Sequence, residues 1–270
     1  DCREEYWIDM KGNLKSTIMY HRSYRKLSGS LSLFFLQFVF AAATLSAVTF
    51  FFYPQLTQTV CLVTKAALAS SYSPDNISIV EIEYINRIGN VFFLDLPSQF
   101  PSPFFSLMNA LVCLILLIVL PRIEQVKPVM IFITLLSFIH LIASLFFLGF
   151  PSSFPYKIVD SSRLYMLQQV SIWFFVPIVM GLAIMPLPSS LAAKCGTMII
   201  TYVYSLIFGT VRYIVFIFIL TKASLLYMAI LFFALGPLID FVYIVGIYSA
   251  HVTWLAKKVK DDYGLWKWQY

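Results

Sequence analysis

Charged side chains are scarce in this chain, and the places where they are missing say more than the places where they occur. From Leu31 to Thr64 there is no Asp, Glu, Lys or Arg, and comparable apolar runs recur as far as Ala250. Only 12% of the 270 residues are charged while 60% are hydrophobic, which is far outside the range of soluble domains. Lipid is therefore the expected solvent for most of the chain. Cysteine is scarce as well: Cys2, Cys61, Cys113 and Cys195 show no CxxC or CxxH spacing, so neither a metal site nor a cofactor is expected. With Cys61 alone on the far side of the predicted membrane, free thiols are expected rather than a structural disulfide. A histidine box, a Gly-x-Ser-x-Gly elbow and an acidic metal motif are also missing. Desaturase, rhomboid and prenyltransferase chemistry thus have no residues to stand on.

Six runs pass the threshold of roughly 18 residues for a membrane span: Leu31 to Tyr53, Pro103 to Leu120, Pro128 to Phe150, Leu164 to Pro186, Thr197 to Thr221 and Ala223 to Ala250. They are continuously apolar instead of alternating, and only a helix satisfies its own backbone over such a length, so porin-like strands are excluded. The expected fold is an all-α integral membrane protein, a six-helix transmembrane bundle with a short extracytoplasmic β-hairpin-like segment. Residues 1–30 form a polar interfacial segment, 31–250 the membrane domain, and 251–270 an aromatic and basic tail. The long charge-free stretch of the first span, with about thirty residues before it, reads as a retained helix and not as a signal peptide.

Basic residues set the orientation. Placing the N-terminus inside puts Arg3, Lys11, Lys15, Arg22, Arg25, Lys26, Arg122, Lys127, Lys194, Lys257, Lys258, Lys260 and Lys267 on the cytoplasmic face. Only Lys65, Arg87, Lys157, Arg163 and Lys222 fall on the other. The positive-inside rule therefore predicts that both termini are cytoplasmic, without saying in which membrane. The net charge of +6 is accounted for by this asymmetry, and nucleic acid is not an expected partner. The cluster His21-Arg22-Ser23-Tyr24-Arg25-Lys26 before the first span reads as an anchor in anionic headgroups. The tail, with Trp254, Tyr263, Trp266, Trp268 and Tyr270 among lysines, reads as an amphipathic stretch at the same face.

The one sizeable outer segment runs from Pro54 to Ser102. Its first part, Gln55 to Ser71, contains helix formers that extend the first helix or lie along the interface. Asn76 to Ile85 is β-branched and partly alternating, Asn86 to Asn90 is turn-like and Val91 to Leu96 is apolar, which together predict a hairpin. A lone hairpin is marginal, so it is expected to rest on the bundle or on a partner. Asn76-Ile77-Ser78 also matches a glycosylation sequon.

Three ionisable side chains fall deep inside spans: His140, Arg212 and Asp240. Each costs at least roughly 2.5 to 3.5 kcal/mol at the bilayer centre, so each is expected to face the bundle interior and to have a partner. Helix rise counted from the ends of the apolar runs places all three near mid-membrane. The nearly absent link between the fifth and sixth spans makes these antiparallel neighbours, which predicts an Arg212–Asp240 ion pair with His140 as a third member. Gly236-Pro237, one turn before Asp240, is expected to kink the sixth span, as in broken helices that line transporter sites. Tyr202, Ser205, Gly209 and Arg212 share one face of the fifth span, suited to close packing or to a hydrated cleft.

Cys195, Arg212 and His251 are the residue types used by the exosortase and archaeosortase group of membrane transpeptidases. Against that reading, the topology puts Cys195 and His251 at the inner face, well away from Arg212, and Cys195 stands in Lys-Cys-Gly rather than Cys-Ser-Gly. The leading functional expectation is a non-catalytic integral subunit that packs into a larger membrane assembly, with the bilayer and other membrane subunits as partners. The alternatives are a permease or channel-forming subunit using His140, Arg212 and Asp240, and then the intramembrane cysteine enzyme with Cys195 as nucleophile. An impermeant thiol reagent applied from outside is expected to label Asp75→Cys and to spare Asp261→Cys; the reverse pattern would invert the topology.

Overall fold

In the computed structural model of the protein the described residues are 25–27, 31–70, 72, 77–85, 89–122, 127–233, 235–259 and 266–268. Asn76, the centre of the hairpin turn, Cys2 and most of the two terminal segments lie outside them. Six helical spans long and apolar enough to cross a membrane are present among the described residues, together with a two-stranded antiparallel hairpin. The protein is a multi-pass helical membrane protein.

The first helix, α1 (Leu31–Leu68), is 38 residues long. At about 1.5 Å per residue it measures about 57 Å, nearly twice the roughly 30 Å of hydrocarbon it has to cross. Apolar side chains carry it through lipid. Beyond Pro54, threonines tie themselves to the helix backbone, Thr57 to Tyr53 and Pro54 carbonyls and Thr64 to that of Val60. Of the two readings open for Gln55 to Ser71, extension of the first helix is the one found, as far as Leu68.

The hairpin is formed by β2 (Ser78–Ile85) and β3 (Gly89–Asp95), and a shorter antiparallel pair joins β1 (Arg25–Leu27) to β4 (Trp266–Trp268). That second pairing links the two ends of the chain and was not foreseen. A contact between residues more than two hundred positions apart leaves no periodicity to read. β3 packs on α1 and on α4 (Ile158–Ile184), with Val91, Phe93 and Leu94 buried, so the hairpin rests on the bundle. Gly89 allows its close approach: a Cβ there would lie 2.6 Å from Pro54 Cγ, where Tyr53 Oη donates to the Gly89 carbonyl at 2.7 Å.

Helices α2 (Pro103–Val119) and α3 (Lys127–Gly149) pack mainly on each other and turn broad apolar faces outward. Proline at the first position of α2 and the Ser102 hydroxyl, which accepts the Phe105 N–H, start that helix where the loop ends. Asp160 starts α4 in a similar way by accepting the Lys157 N–H at 2.9 Å. Next comes α5 (Leu191–Lys222), capped by Ser190.

The sixth span is not one helix. A 3-10 turn at Leu225–Tyr227 leads into the short α6 (Met228–Phe233), and the chain restarts as α7 (Pro237–Val259). The kink expected at Gly236-Pro237 is a full break, because proline both ends the preceding hydrogen-bond ladder and suits the first position of a new helix. α7 continues without interruption past residue 250 to Val259.

Candidate functional site

Arg212 stands on the buried stripe of α5 that also carries Tyr202, Ser205 and Gly209, set three and four residues apart. All three guanidinium nitrogens are engaged by the chain itself. Nε donates to Tyr165 Oη at 2.8 Å, Nη1 to both Asp240 Oδ2 and the Gly236 carbonyl at 2.7 Å, and Nη2 to Gln169 Oε1 at 2.9 Å. The guanidinium carbon also lies 5.2 Å from the Tyr165 ring centroid. Arg212 and Asp240 are 4% and 6% exposed at the side chain, so lipid and water are both kept from the pair.

Each partner is positioned by a local feature. Asp240 lies in the first turn of α7, and a carboxylate there is favoured by the unsatisfied N–H groups and dipole of a helix start. The same break turns the Gly236 carbonyl out of any helix and onto Arg212. Tyr165 relays the site to α5 by donating to the Gly209 carbonyl at 2.8 Å. A Cβ on Gly209 would fall 2.5 Å from Gln169 Nε2, so only glycine lets α4 and α5 approach closely enough for Gln169 to reach the guanidinium. Two buried atoms at the site have no protein partner: Asp240 Oδ1 and Gln169 Nε2.

Tyr165 and Gln169 were not picked out from the sequence. They are neutral, and a neutral polar residue in an apolar run carries no requirement for an ion partner. Their spacing of four residues, which puts both on one face of the fourth span, was the available signal.

α5 begins at Leu191 and α7 ends at Val259. Arg212 and Asp240 lie about 26 to 27 Å from Lys194 and Lys257 along their helices, at about 1.5 Å per residue. The adjacent residue on α5, Tyr213, bonds Ser162 Oγ through Oη at 2.6 Å and accepts the Leu94 N–H at 3.0 Å, so the hairpin is fastened to α5 beside the ion pair.

His140 does not join this cluster. Its ring stacks on Tyr227 at 4.9 Å between centroids, and its Nε2 lies 3.4 Å from Asn109 Oδ1. It stands about 20 Å from Lys127 along α3, by the same rise. The order in which helices pack decides such partners, and hydropathy does not encode it.

Cys195 is 17 residues before Arg212 on the same helix, a separation of about 25 Å. His251 bonds Thr197 Oγ1 at 2.8 Å and Ser189 Oγ at 3.3 Å through its two ring nitrogens. The residues weighed for transpeptidase chemistry are consequently divided between the two ends of α5. Cys61, Cys113 and Cys195 are free thiols.

No protein-family model, curated protein or solved structure matches the chain.

Removing one partner of the ion pair leaves an uncompensated buried charge, at a cost of about 3 to 5 kcal/mol. Asp240→Asn alone should destabilise the detergent-solubilised protein more than Asp240→Asn combined with Arg212→Gln. Additive losses in a thermal or denaturant titration would reject direct coupling.

Proposed function

We propose that this chain is a non-catalytic integral subunit of a larger membrane assembly, oriented with the Lys194, Lys257 and Lys258 end toward the cytoplasm and the hairpin outward. The observation that carries the reading is the saturation of Arg212. Its guanidinium meets a carboxylate, a carbonyl, an amide oxygen and a phenol of its own chain, which leaves it poorly placed to capture a substrate anion. The polar layers toward the basic end are closed in the same manner, Ser205 with Tyr243 at 2.8 Å and Thr49 with Tyr202 at 2.7 Å. Polar groups that satisfy one another hold helices in register.

Support for an assembly comes from what the folded chain leaves out. The links between spans on the basic side are short, from Arg122 to Lys127 and from Ile184 to Leu191, so they contain no domain that could supply energy or catalysis. Lipid and other membrane subunits are the partners of this reading.

One observation favours the permease or channel alternative. Asp240 Oδ1 and Gln169 Nε2, an acceptor and a donor, are both buried at the broken helix without a partner, as a water or polar substrate would require.

Native electrophoresis after extraction in a mild detergent, alongside solute flux in proteoliposomes of the purified chain, separates the two. The subunit reading expects migration well above the 30.9 kDa chain with its micelle and no flux. A monomer whose flux is abolished by Asp240→Asn would replace it with the permease.

A further inference from the structure

The two edges of the outer hairpin are treated differently. On β3 the N–H of Phe92 is taken by Thr57 Oγ1 at 3.3 Å, and that of Leu94 by Ser162 Oγ and Tyr213 Oη at 3.0 Å each. These N–H groups therefore point away from β2, into the bundle. In an antiparallel pair, residues directly opposite one another either both point inward or both point outward. Phe92 faces Glu81 and Leu94 faces Ile79 in the register of the hairpin. The backbone N–H and C=O groups of Ile79 and Glu81 accordingly point away from β3 along the far edge of β2. Among the described residues the sheet ends there, and Ser78, Val80 and Glu81 are exposed.

An eight-residue strand with Ile79, Val80, Ile82 and Ile85 is well suited to pairing, and an open edge of this kind is a template for one more strand. Its charge selects the occupant. Antiparallel pairing of two copies about Glu81 would set like carboxylates directly opposite, which is unfavourable. A strand bearing Lys or Arg opposite Glu81 gains an opposite-charge pair instead, and apolar residues at alternate positions would cover Val80 and Ile82 on the other face.

We propose that the free edge of β2 is the docking site for an extended basic segment of a partner chain on the hairpin side of the membrane. This rests on the subunit reading and names the surface through which the subunit is held.

The test uses the full chain in nanodiscs and two synthetic peptides, acetyl-Thr-Lys-Val-Lys-Val-Thr-amide and its counterpart with glutamate at both lysine positions. Hydrogen exchange is followed across residues 78–85. The lysine peptide should slow exchange in β2 by at least about tenfold, and the glutamate peptide should not. Glu81→Pro removes the outward donor while leaving the β2–β3 ladder intact, so it should abolish this protection with β3 still protected as in the parent. Glu81→Gln should lose the preference between peptides.

No protection by the lysine peptide, equal protection by both peptides, or undiminished protection in Glu81→Pro would overturn the proposal. If that happened while native electrophoresis still placed the chain in a large complex, the subunit reading would stand without this docking edge. Protection of β2 by the lysine peptide in a chain that is monomeric in its own membrane would keep the edge and remove the subunit reading.

Discussion

The guanidinium of Arg212 is the constraint around which the upper half of the bundle is arranged. A cation buried near lipid must be neutralised and hydrogen-bonded, and the chain meets that demand from two other helices at once. Tyr165 and Gln169 come from α4, while Gly236 and Asp240 come from the break before and the first turn of α7. Each answer imposes a further condition. The carbonyl of Gly236 is free only because the helix is interrupted before Pro237, Asp240 is stabilised by being near the new helix start, and Gln169 reaches only because position 209 is glycine. The adjacent residue, Tyr213, then fixes the hairpin, so the sheet and the ion pair form one continuous structure.

Much of this was legible because lipid makes strong demands. Uninterrupted apolar runs must be helices, and the change to β-branched residues after Asn76 had to be a different element. A lone arginine and a lone aspartate on adjacent antiparallel spans had every reason to meet. The extension of α1 past Pro54 was legible in the helix formers of Gln55 to Ser71. The inner ends of α5 and α7 were not, since hydropathy marks where lipid stops and not where the helix stops, and both run beyond their apolar windows at the basic end.

The remaining gaps have a common origin in long-range order. Tyr165 and Gln169 become essential only once α4 is known to lie beside α5, and His140 is drawn to Asn109 and Tyr227 because α3 lies beside α2 and the 3-10 turn before α6. The pairing of Arg25–Leu27 with Trp266–Trp268 belongs to the same kind. Residues that the membrane penalises announce themselves; those that merely complete their surroundings do not.

The central claim is that the polar interior below Arg212 is closed, and Ser205 is the place to measure it. Its hydroxyl accepts from Tyr243 two turns of α5 away from Arg212, and the residue is 1% exposed. Ser205→Cys changes one atom and leaves the ion pair untouched. With Val80→Cys as the exposed control, an impermeant thiol reagent should modify position 80 readily and position 205 no more than the parent chain's own buried thiols. Modification of Ser205→Cys at a rate comparable with Val80→Cys would mean that water reaches the interior, and the account of a sealed structural pair would be wrong.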